Sequence, residues 1–64
     1  MNNDFRKEQG DRIRKARLQR FHGSINMKQM AMLLGVPYRT YQNWELGLRS
    51  VSDREMLIKL ANLL

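Results

Sequence analysis

Residues 27–46 read MKQMAMLLGVPYRTYQNWEL, and the placing of small and apolar residues in this stretch decides the fold. Ala31 precedes Gly35 by four positions, and Val36, Tyr41 and Trp44 follow. A small side chain at position 31 lets a second helix cross close above the first. Gly35 suits a sharp turn, because a positive φ is reached freely only without a Cβ. Tyr41 and Trp44 stand three apart, on one helical stripe that can face inward. Residues 27–46 therefore read as two helices joined by a short glycine-containing turn, a helix-turn-helix, with the second helix at about 37–46.

Working outward, the chain divides into four helices. Asn26 is placed to cap the second, and Gln29 three residues later fits a capping box. Met30, Leu33 and Leu34 supply its buried side with Ala31. Pro37, with its fixed φ and missing N–H, suits the first turn of helix three, and Gly47 suits its end. Helix one is expected from Asn3 or Asp4, either able to cap it, to about Phe21. Gly10 weakens it by about 1 kcal/mol relative to alanine, which leaves a start as late as Asp11 open. Its apolar stripe is Ile13, Ala16 or Arg17, Leu18 and Phe21, and Gly23 after His22 suits a left-handed cap. Ser52 and Glu55 form a Ser-x-x-Glu box ahead of Met56, Leu57, Leu60, Ala61, Leu63 and Leu64. No repeat or strand pattern competes, so the expected fold is all-α: one compact four-helix domain over 1–64.

Composition narrows the partner. Twelve Lys and Arg against six Asp and Glu leave net +6 on 64 residues, which favours a polyanion. No apolar run approaches the roughly 18–20 residues that span a bilayer, and MNNDFRKEQG lacks the apolar stretch of a signal peptide, so a cytoplasmic, nucleoid-associated place is expected. With no cysteine and one histidine, neither a disulfide nor an ordinary zinc site can be assembled, and no metal or cofactor is expected. His22 has no Ser, Cys or Asp companions set out for catalysis, and no paired carboxylates suggest acid–base work, so no enzyme is expected.

The second helix of a helix-turn-helix enters the DNA major groove. At about 100° per residue, Pro37, Tyr41, Trp44 and Leu48 fall on one side of helix three. Arg39, Gln42, Asn43 and Leu46 fall on the other, with Tyr38 on the flank near the N-terminus. Arg, Gln and Asn are the side chains that make paired hydrogen bonds to guanine and adenine edges. Trp44, by its inward phase, reads as core rather than as a base-stacking platform, as do Met30 and Met56, while Met32 points outward. Phosphate contacts are expected from Asn26, Lys28 and the backbone N–H groups at the start of helix two, Met27 included, from Thr40, and from Arg49 in the loop after helix three. Arg6 or Lys7 are further candidates.

Leu34-Gly35-Val36, followed by Thr40-Tyr41-Gln42-Asn43-Trp44-Glu45-Leu46-Gly47, resembles the Cro/cI repressor class of helix-turn-helix domains, the XRE family, and GDRIRKAR at 10–17 resembles its first helix. The likeness covers roughly residues 10–61. It implies base readers at Tyr38, Arg39 and Asn43, and a largely buried ion pair between Arg17 and Glu45. Three features depart from the family. Met27 replaces a Gln that binds phosphate there, and its side chain cannot donate that bond. Tyr41 stands where a β-branched residue is common, so its ring must be accommodated beside Ala31 or tilt outward. A fifth helix is usual, so the sequence to Leu64 is expected to form either a minimal domain or one completed by a partner subunit.

The expected function is a sequence-specific transcriptional regulator of phage or bacterial type, a repressor that binds double-stranded DNA at a palindromic operator as a homodimer. No small-molecule effector is expected in so small a chain. The competing expectation is a protein-interaction module, such as an antitoxin or accessory factor, with Leu46, Leu48, Leu63 and Leu64 exposed and DNA binding secondary.

Overall fold

The computed structural model describes residues 2–64 and contains four helices: α1 (Asn2–Arg20), α2 (Met27–Leu34), α3 (Tyr38–Glu45) and α4 (Arg54–Leu63). There is no strand among the described residues. α3 lies between α1 and α2, and α4 docks on α2. Ile13, Met30, Ala31, Leu34, Tyr41, Trp44, Val51 and Leu60 form the core. Among the described residues no helix is long and apolar enough to cross a membrane.

The capping box at Asn26 forms in full. Its side-chain Oδ1 accepts from the Gln29 N–H at 2.8 Å, and Gln29 Oε1 accepts from the Asn26 N–H at 2.9 Å. Gly35 closes α2 at φ 75°, ψ 30°, and the Val36 N–H donates back to Ala31 O at 3.0 Å. This turn carries the chain from α2 into α3 within three residues, and a Cβ at position 35 would be strained in that conformation.

Other boundaries move. α1 begins at Asn2, so positions 3 and 4 lie inside its first turn and neither is its cap. Pro37 is the N-cap of α3 rather than its first helical residue: φ is −61°, as its ring demands, but ψ is extended at 146°. Leu46 caps the other end, and Gly47 follows it with φ 77°. The Ser52–Glu55 box does not form. Asp53 is the cap, without a side-chain bond, because Val51 is held elsewhere. The Val51 N–H donates to Gln9 Oε1 at 2.8 Å and Gln9 Nε2 donates to Val51 O at 3.4 Å, which ties Val51 to α1; Asp53 is extended and the helix starts only at Arg54.

Several expected core positions face water. Leu18 is 41% and Leu33 53% exposed. The buried line of α1 runs through Gly10, Ile13 and Arg17, and that of α2 through Met30, Ala31 and Leu34; each exposed leucine is one residue, about 100°, out of phase. Leu48 is 60% exposed because α3 ends before reaching it. In α4, Leu60 is buried and Leu63 and Leu64 are half-buried against the core, so the apolar surface left open is Leu57 and Ile58.

α1 continues unbroken through Gly10 because nothing larger fits there. A Cβ on Gly10 would lie 2.7 Å from Glu45 O and closer still to Trp44 O, both backbone atoms that cannot swing aside. The helical cost of glycine, about 1 kcal/mol, is the condition for α1 and α3 to cross this closely. Gly10→Ala should therefore destabilise by about 1–3 kcal/mol despite alanine's better propensity. Urea denaturation checks this, and a stabilised variant would show that the crossing is looser than described.

Candidate nucleic-acid interface

α3 is anchored at its C-terminal end by a buried polar cluster. Arg17 Nε donates to Glu45 Oε2 at 2.7 Å and Nη2 to Oε1 at 3.0 Å, a bidentate arrangement in which the two side chains are 10% and 2% exposed. The Tyr41 hydroxyl donates to the same Oε2 from one turn earlier in α3. Arg17 Nη1 donates to Ile25 O at 2.8 Å. One guanidinium thus joins α1, the end of α3 and the segment entering α2. Among the described residues no buried side-chain polar atom lacks a partner.

The ring of Tyr41 is fully buried and does not tilt outward; it packs edge-on to Trp44, with centroids 6.1 Å apart and planes at 75°. Burial pushes the Tyr41 hydroxyl well above the ordinary tyrosine range, and the hydrogen bond to Glu45 adds to the shift. The hydrogen bond to Glu45 also raises Arg17 above its ordinary value, against the effect of desolvation.

With Tyr41, Trp44 and Glu45 turned inward, the opposite side of α3 carries Arg39, Gln42, Asn43 and Leu46. Arg39 and Leu46 are exposed, Gln42 and Asn43 half-buried, and Tyr38 is 42% exposed at the start of the helix. Thr40 is half-buried on the flank. The face offers a cationic fork and two amides, which suit guanine and adenine edges.

Asn26, Met27, Lys28 and Tyr38 line one shallow concavity, which puts the start of α2 beside the start of α3. The capping box uses the N–H groups of Asn26 and Gln29. The N–H groups of Met27 and Lys28 belong to the first turn, where no intrahelical acceptor exists, and suit an anion. The Met27 side chain packs against the core, so this residue offers its backbone alone. Arg49 is exposed in the loop after α3, beyond Gly47. Sequence reading missed Gln9 and Val51, which tie that loop to α1, and the Tyr41 hydroxyl. The four-residue spacing from Tyr41 to Glu45 on one helix was the signal for the latter.

A family described as helix-turn-helix matches residues 13–64, and the chain belongs to it. It is of the Cro/cI, or XRE, type, a class of DNA-binding transcriptional regulators rather than of enzymes. Comparison with curated proteins and with solved structures gives no match.

The polar cluster generates two expectations. Glu45→Ala strands the Arg17 guanidinium and should cost about 3–5 kcal/mol in urea denaturation; a loss under about 1 kcal/mol would contradict its burial. The raised Tyr41 value means that the folded state holds this proton more tightly than the unfolded state does. The associated stability is complete below the unfolded tyrosine pKa of about 10 and declines as pH rises above it. Tyr41→Phe should be less stable at neutral pH yet lose less between pH 9 and 11, both roughly bracketing that pKa, in thermal melts. An unchanged alkaline decline would remove Tyr41 as its source.

Proposed function

We propose that this regulator is a repressor that binds a palindromic operator as a homodimer and acts by obstructing polymerase. Tyr38, Arg39, Gln42 and Asn43 read bases in the major groove. Asn26, Lys28, Thr40, Arg49 and the Met27 N–H hold phosphates, setting register without reading sequence. The observation that carries this reading is the outward Arg39–Gln42–Asn43 face, Arg39 exposed and the two amides half-buried, of a helix whose opposite side is locked into the core. Net +6 supplies the electrostatic attraction to DNA, and operator binding places the protein with the nucleoid. Pairing through the open Leu57–Ile58 surface of α4 would set two recognition helices roughly 34 Å apart, one DNA turn.

A second reading is favoured by the exposed Leu46 and Leu48, which suit a protein partner with DNA secondary. Selection from random duplexes at two salt concentrations separates the two: an operator binder enriches one sequence, whereas a protein-binding module shows only salt-dependent affinity. Sedimentation on the selected duplex should give two chains per site; one chain per site would overturn the dimer.

Arg39 and Arg49 should fail differently. Arg39→Ala should flatten preference at one position per half-site, a loss of roughly 1–3 kcal/mol of discrimination. Arg49→Ala should lower affinity across all sequences and reduce the salt slope by about one unit. Full base preference in Arg39→Ala would move the reading face elsewhere.

A further inference from the structure

The stretch of α1 that precedes the family-matched residues is joined to the loop after α3. Gln9 makes two hydrogen bonds to the backbone of Val51, and Gly47 approaches the Lys7 backbone so closely that a Cβ there would sit 2.9 Å from Lys7 Cα. These contacts bring Arg6 beside the loop. Arg6, Leu48, Arg49, Ser50 and Ser52 line one open concavity of about 490 Å³, and no carboxylate lines it. Two guanidinium groups and two hydroxyls thus share a notch without a compensating charge. The helical neighbours of Arg6 three and four residues further on are Gln9 and Gly10, neither of them acidic. Arg17–Glu45 is the one ion pair among the described residues, so neither Arg6 nor Arg49 is paired with a carboxylate among them.

We propose that Arg6, Arg49, Ser50 and Ser52 form a phosphate-binding notch that holds a DNA backbone phosphate outside the stretch read by α3. The proposal rests on the DNA-binding reading and adds to it a contact built from α1, ahead of the matched residues 13–64. A phosphodiester suits the notch chemically. Arginine forks pair with its two free oxygens, serine hydroxyls donate to the same atoms, and the exposed Leu48 offers an apolar edge to the neighbouring deoxyribose. The loop follows α3 directly, so a phosphate held here lies at the end of the recognition helix rather than beneath it. Such a contact raises affinity and fixes the angle at which α3 enters the groove, without carrying base information.

The test uses the full chain and its selected duplex, with single phosphates replaced in turn by neutral methylphosphonate. In the wild type one flanking replacement per half-site should weaken binding. In Arg6→Gln, which keeps helical propensity and removes the charge, the same replacement should weaken binding less than in the wild type, the remaining effect coming from Arg49 and the two serines. The salt slope should become shallower, by at most about 0.9, so that each fourfold rise in salt costs the variant up to about 3.5-fold less affinity than it costs the wild type, with base preference unchanged. Arg12→Gln, on an exposed residue of α1 outside the notch, should retain the wild-type profile. Arg6→Gln with the wild-type salt slope and replacement profile overturns the notch while leaving operator binding intact. Saturable shifts of the Arg6 Nε–H signal with inorganic phosphate, alongside an unchanged replacement profile, would assign it to free phosphate and also overturn the proposal. A wild-type chain that selects no duplex overturns the operator reading and the notch with it.

Discussion

The Glu45 carboxylate sits where three parts of the chain meet, and the position of the recognition helix depends on it. Removing a carboxylate and a guanidinium from water costs several kcal/mol per ion, so burial alone is no argument for stability. Here the geometry offsets that cost. Glu45 receives both arms of Arg17 and the Tyr41 hydroxyl, and Arg17 gives its remaining terminal nitrogen to Ile25 O. A hydrophobic triad would fill the same space, but it would not fix the rotation of α3 about its own axis. The bidentate pair does, since a turned helix would carry Glu45 away from the guanidinium plane.

That rotation connects packing to function. Tyr41, Trp44 and Glu45 occupy about a third of the circumference of α3, and their burial determines which residues are left outside. Because α3 has only eight residues, its own helical propensity is weak and its shape is borrowed from α1 and α2. Gly10 is the steric counterpart of the polar cluster: it admits α1 to within contact of the Trp44 and Glu45 carbonyls, and Arg17 then reaches Glu45 two turns farther along α1. The two constraints act on the C-terminal end of α3, while the short Gly35 turn from α2 fixes its start, so Tyr38 and Arg39 are presented by a helix held at both ends.

What could be read from the sequence follows the range of the interactions. The Asn26–Gln29 box and the Gly35 turn depend on residues at most five apart, and both were legible. The Ser52–Glu55 box had an equally good local signature and failed, because a bond between positions 9 and 51 holds the preceding residue against α1. Leu18 and Leu33 were misplaced for a related reason: a leucine one position out of phase fits the hydrophobic pattern of a short helix, and only the tertiary crossing angle decides between neighbours. Gly10 looked like a weak point from propensity alone. The backbone that makes it necessary is more than thirty residues away. In the candidate interface, the outward face of α3 could be read from helical phase, whereas the concavity at Arg6 and Arg49 could not, since nothing local joins positions 6 and 49.

The split between specificity and affinity follows the same division. Base-edge donors must be held to within a fraction of an ångström, and the residues proposed for that role lie on α3, the element tied into the core from both sides. Cations facing phosphates tolerate looser placement, because a point charge in high dielectric loses little energy over an ångström or two. The cations proposed for that role lie on the first turn of α2, in the loop after α3 and on the outer part of α1. Gly47 and Gln9 tighten that loop without burying it, so Arg49 stays exposed while its backbone is anchored. Anchoring the backbone lowers the entropy lost when the arginine meets an anion, and leaving the side chain in water avoids the desolvation cost borne by Arg17. The same residue type thus serves two ends in one small domain: buried and bidentate at position 17, where it orients a helix, and hydrated at 39 and 49, where it is free to engage DNA.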